Sequence, residues 1–238
     1  MEKIIKNNYI YKALFLVLAV LLFLSLLSYP LLGNLANHDN GSVAAYDYWT
    51  HNGFLYGKEI AQNVGPLGFI NSINNYTGFF QEIKLSINIL LMFLLTSLLV
   101  LNLKKTSVSI SFFVMIISIL YLNSDSKYYI LISLIFIYLL NGNLSIIKYL
   151  LITVLALMSL SKAMFFFLSC IIIIIIFLIN LSNKQYKKSI IVTLIYMISF
   201  SIFWKLSKQN LSNLPEFING IFIFSIGYNE AMSIFESK

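Results

Sequence analysis

The chain has 238 residues, of which 59% are hydrophobic and 11% charged, with a mean hydropathy of +0.86 and a formal net charge of +7. A soluble domain carries roughly 25% charged residues, so this chain cannot solvate its own surface, and most of that surface faces lipid. The charge is no nucleic-acid footprint either: all 16 basic residues are lysine, set at the ends of apolar runs where they snorkel to the headgroups.

Met1–Lys12 is short and basic. Ala13–Asn37 then runs 25 residues without a charge, where a spanning helix needs about 20. A secretory signal has an apolar region of about 7–15 residues and a small-residue cleavage site. Tyr29-Pro30-Leu31-Leu32 is no such site, so an uncleaved first span is expected, kinked or ended by Pro30. The longest polar interval, Asn37 to Phe80, follows within a loop over residues 38–84. Leu85–Leu103 is a second span and Thr106–Asn123 a third. Tyr128–Leu140 and Tyr149–Ser161 are apolar runs of only 13 residues each. Such lengths do not cross an average bilayer without help, and pairing the two across a thin, protein-filled region is the favoured arrangement. Ala163–Leu181, with six consecutive isoleucines, and Ser189–Trp204 complete seven spans. The tail, residues 205–238, lies outside or in the interface.

The expectation is one all-helical polytopic membrane domain over residues 1–238: first span 13–37, outer functional loop 38–84, helical bundle 85–204 and tail. Alternating seven spans from a cytoplasmic amino terminus puts nine lysines inside and seven outside, with every lysine cluster inside. Of the nine acids only Glu2 then falls inside. Acids do not set topology; either the outer face hosts acid chemistry, or its loops are simply longer. Cys170 stands alone in an apolar run, so no disulfide framework exists.

Within the loop, Ser42 precedes a helix-compatible stretch, Val43–Asn52, that Gly53 can end. Ala45, Tyr48, Trp49 and Asn52 share one face, and Val43, Asp47, Thr50 and Phe54 another. Both mix aromatic and polar groups, which suits an interfacial helix. Gly65-Pro66-Leu67-Gly68-Phe69 reads as a sharp bend with an apolar tip returning to the membrane. His38 and His51 are too few and too far apart for metal-site spacing.

This layout of an amino-terminal helix, a first outer loop with an early Asp, an interfacial helix and a Gly-Pro-rich return resembles the membrane-embedded GT-C glycosyltransferases. More narrowly, Gly57 through Phe69 resembles a group of bacterial polytopic proteins with a G-P-L-G-F first loop. Asp39, Trp49, Gly57, Gly65, Pro66, Leu67, Gly68 and Phe69 match that pattern, with Glu59 where an Asp is usual. Leu214-Pro215-Glu216-Phe217 and the segment carrying Tyr228 and Glu230 resemble a later part of the group, and Lys162 a lysine at a helix end there. Members are about twice as long, so the chain resembles an amino-terminal half, with a missing carboxy-terminal half or a partner subunit implied.

The resemblance implies a bacterial inner-membrane, multi-pass enzyme that uses a polyprenyl-phosphate-linked sugar. An outer-loop carboxylate acts as general base on the acceptor hydroxyl, or positions it with a divalent metal. Asp39 is the leading residue and Asp47 the alternate; the plainer readings are a helix cap and a polar helix face. Lys162 would receive the leaving phosphate or, more plainly, snorkel. Trp49, with Tyr46 and Tyr48, would stack on sugar or belong to an aromatic belt. Glu59, Gly65, Pro66, Gly68, Tyr228 and Glu230 would shape the substrate loop. No phosphate-binding loop, dinucleotide fingerprint, zinc-protease or nucleophile-elbow motif is present. The expected activity is sugar transfer to a cell-envelope glycan or lipid. The alternatives are a capsule or O-antigen polysaccharide polymerase and a non-catalytic membrane subunit.

Overall fold

The computed structural model describes residues 9–27, 38–60, 63–71, 80–122, 125–140 and 144–224, with only the backbone given at residues 10, 38–43 and 71. The described residues are all-helical. In chain order the helices are α1 (Tyr9–Leu26), α2 (His38–Asn52), α3 (Gln81–Leu103), α4 (Val108–Tyr121), α5 (Ser126–Leu140), α6 (Ile146–Ser159), α7 (Ala163–Ser182), α8 (Tyr186–Leu206) and α9 (residues 214–224). Short 3-10 turns occupy Gly68–Asn71 and Leu211–Asn213.

Helices α3, α7 and α8, of 23, 20 and 21 residues, are long and apolar enough to cross a membrane. At 1.5 Å per residue they reach about 30–35 Å, the thickness of a hydrocarbon core. By these helices the chain is a membrane protein. The other apolar helices, α1, α4, α5 and α6, have 18, 14, 15 and 14 residues, or about 21–27 Å. Where the structure describes them, the apolar runs read from the sequence are helical, and among the described residues three helices reach full span length; residues 28–37 of the expected first span, with Pro30, lie outside the described residues.

The chain divides into two compact units. One comprises residues 1–30 and 82–138; the other comprises 31–81 and 139–238. The two short runs expected to pair, α5 and α6, thus fall in different units, save the last two residues of α5. In the first unit α1 packs on α4 through Tyr11, Phe15 and Phe112, and on α3 through Phe23 and Phe93. Lys127 is buried there, its ammonium donating to the Leu26 carbonyl at the end of α1 over 3.4 Å. Lysine at a helix C-terminus meets the negative end of the dipole. Lys84, read as a loop lysine, lies one turn inside α3 and is buried.

The second unit is built on α6, α7 and α8, each packed on the other two. Small polar side chains tie them: Ser159 to Tyr196 at 2.8 Å and Thr153 to Ser199 at 3.2 Å. Such interhelical bonds are worth about 0.6 kcal/mol each in a bilayer. Helix α9 packs back on this bundle through Phe217, Ile221 and Phe222, with Phe217 against Trp204 at 4.9 Å and Phe222 against Phe167 at 5.0 Å.

Candidate functional site

The site grows out of α2. The chain is already helical at His38, ahead of Ser42, so Asp39 and Ser42 both lie within the helix. Gly41 does not stop it, since a helical glycine costs only about 1 kcal/mol. The far end matches the expectation. Gly53 has φ +73°, its N–H donates to Thr50, and the Phe54 N–H reaches back to Trp49 at 3.0 Å. Phe54 also packs on Tyr48. This is the Schellman pattern with its hydrophobic contact, and it turns the chain back beneath α2.

One face of α2 is buried. Asp47 is 0% exposed and Thr50 5%, whereas Tyr48, His51 and Asn52 face outward. Asp47 therefore does not sit on a solvated polar face. The Thr50 hydroxyl donates to the Pro66 carbonyl at 2.9 Å and lies 3.4 Å from the Tyr56 hydroxyl. Because the Thr50 proton serves Pro66, the phenol donates to Thr50. Burial, joined by the neighbouring Tyr46 and the Asp47 charge, pushes the Tyr56 phenol up to about 12. Burial raises Tyr46 as well.

The Gly-Pro bend is as sharp as expected. The Gly68 N–H closes it onto the Gly65 carbonyl at 2.8 Å. Its apolar tip does not turn out to lipid. Phe69 and Ile70 are buried by the protein itself, and Phe69 stacks on Phe80 with centroids 4.5 Å apart. Phe80 holds the left-handed φ of +59°, uncommon for a bulky residue, braced by Phe69 and by His51.

Two backbone hydrogen bonds fasten this bend to the α6–α7 corner. The Leu67 N–H donates to Leu160 at 2.9 Å, and the Ala163 N–H donates to Asn63 at 2.8 Å. Between those anchors lie Ser161, fully buried, and Lys162, half-buried at the start of α7. Gly65 is required here by proximity, not by unusual torsions. A Cβ on it would overlap the Leu160 carbonyl oxygen and stand 2.9 Å from the carbonyl carbon.

A third strap comes from beyond α8. The Gln209 side chain is buried; its oxygen accepts the Tyr56 N–H at 3.0 Å and its amide donates to Phe54 at 2.9 Å and to Ser207 at 3.2 Å. Lys208 donates to the His51 carbonyl at 2.9 Å. Gly57, at φ +93°, lies against α9, where a Cβ would stand 2.7 Å from the Glu216 carbonyl carbon.

The structure thus gathers Asp47, Trp49, Gly65, Pro66, Gly68 and the Lys162 corner in one unit. Trp49 is half-buried beside Tyr46. Glu59 is exposed and accepts the Leu55 N–H at 2.7 Å, closing its own turn. The Asp39 side chain, Tyr228 and Glu230 lie outside the described residues, as does the His38 side chain. Among the described residues no three His, Cys, Asp or Glu side chains gather as a metal-binding group. Of the residues that organise the loop, Thr50 appeared in the sequence reading only as a member of a helix face, and Tyr56 and Gln209 were not singled out. Comparison of the chain with family models, with characterised proteins and with solved structures yields no match.

Proposed function

We propose that this protein is a seven-span membrane glycosyltransferase of GT-C type, with a cytoplasmic amino terminus and its first loop on the outer face of a bacterial inner membrane. It would move a sugar from a polyprenyl-phosphate donor to a cell-envelope glycan or lipid. One observation carries the reading: the acid-bearing loop is clamped by its backbone to the corner that holds Lys162. A carboxylate and a phosphate-seeking cation are the two charges such a transfer needs.

In this reading Asp39 takes the proton of the acceptor hydroxyl. The oxygen attacks the anomeric carbon, the bond to phosphate breaks with inversion, and Lys162 stabilises the departing polyprenyl phosphate. Asp47, wholly buried, is a positioning residue behind Thr50 and Tyr56. The test is transfer in proteoliposomes from a polyprenyl-phosphate sugar. Asp39→Asn is expected to lower turnover by about 10²–10⁴-fold, the usual contribution of a general base. Lys162→Gln is expected to weaken donor use. Full activity in both variants removes these residues from the mechanism. Products lengthened by whole repeat units would assign the protein to polymerisation instead.

A further inference from the structure

Helices α7 and α8 are both of span length and are joined by only three residues, 183–185. That hairpin turn therefore lies at a membrane surface. It is strongly basic, with Lys184, Lys187 and Lys188 in five consecutive positions and no Asp or Glu anywhere between Asp125 and Glu216. A cavity of about 560 Å³ opens here, lined by Leu144, these three lysines, Gln185, Tyr186 and Ile191.

The cavity has the two halves of a lipid site. Its lining includes three lysines, Tyr186 and the start of α8, where Gln185 supplies no side-chain cap and the helix end favours an anion. Its apolar lining is Leu144 and Ile191, and on the flanking helices Leu178, Leu181, Ile190 and Leu194 are exposed apolar residues near the same turn. Lys148 lies close enough to feel the Lys188 charge, and its own ammonium turns away to the Leu139 carbonyl at 3.2 Å. Positive charge is thus packed against positive charge, which a bound anion relieves.

We infer that this turn is a binding site for the phosphate headgroup of an anionic phospholipid, whose acyl chains lie along α7 and α8. Net negative charge is what distinguishes the ligand: a zwitterionic headgroup brings its own cation to a lining that already holds three.

Native mass spectrometry of the full chain in detergent, titrated with phosphatidylglycerol or with phosphatidylcholine, tests this. Phosphatidylglycerol is expected to bind more tightly. Lys187→Gln and Lys188→Gln should each weaken it roughly fivefold, the worth of one lysine near an anionic surface, and leave phosphatidylcholine binding unchanged. Lys205→Gln, at the opposite end of α8, should leave the preference intact. Equal affinity for the two lipids would overturn the inference. So would an unchanged preference in the two turn variants, or an equal loss in Lys205→Gln. Displacement of the lipid by millimolar inorganic phosphate would make this a free-ion site and equally refute it.

Discussion

Substituting Gly65 with alanine places one methyl group where the Leu160 backbone already is. The contact is with main chain, 2.9 Å from a carbonyl carbon, and no flexible side chain can swing aside to absorb it. Forcing an extra carbon into a packed site costs about 1–3 kcal/mol. The movement that relieves it also stretches the Leu67–Leu160 and Ala163–Asn63 bonds, each worth about 1 kcal/mol net. A loss of roughly 3–5 kcal/mol is expected, out of a typical total of about 5–15. At about 2–4 °C per kcal/mol for a chain of this size, the unfolding midpoint in detergent should fall on the order of 10 °C. Gly220→Ala is the matched control: it lies in α9 with open space around its added Cβ. It should be neutral or stabilising by up to about 1 kcal/mol. If both alanines shift the midpoint alike, the clamp does not hold the loop as described.

Gln209→Leu keeps the bulk but leaves the Tyr56 N–H and the Phe54 carbonyl without their partner. A cost of about 2–4 kcal/mol should follow, read from denaturant midpoints; a change under about 0.5 would mean that strap is slack. Lys184 ends α7 at φ +59°, so Lys184→Gly should be more stable than Lys184→Ala by about 1 kcal/mol, both having lost the same charge. Tyr56 ionises near 10 when unfolded and at about 12 when folded. Its contribution is complete below pH 10 and is lost as pH rises to 12, because the unfolded chain releases the proton first. That amounts to roughly 2–3 kcal/mol, and Tyr56→Phe should flatten this window in a pH series of unfolding midpoints.

Helix positions were readable because lipid burial leaves long apolar runs and lysines punctuate them. The α7 expectation, Ala163–Leu181, differs from the helix by one residue at one end. Helix α2 was harder, since Ser42 looks like a cap, yet the chain is already helical ahead of it. Asp47 was ambiguous on a helical wheel: its face is buried together with Thr50, which meets Tyr56 and Pro66 from the chain that turns back beneath the helix, a fact of three dimensions. The clamp left almost no trace. Backbone bonds between Leu67 and Leu160 need no particular side chains. The one sign was Gly65, and it was read as part of a sharp bend when its value is the missing Cβ. Gln209 stands among lysines and serines with nothing to mark a buried two-handed amide.

The distance between Tyr56 and Gln209, 153 positions along the chain, bears on biogenesis. A ribosome adding about 5–20 residues per second delivers Gln209 roughly 8–30 s after Tyr56 leaves the tunnel. Throughout that interval the first loop has emerged but lacks its last fastening, and its Leu160 anchor also arrives late. The loop therefore stays without this strap until the α7–α8 hairpin and the segment after it have been made, so an early-made part of the centre sets only when a much later one arrives.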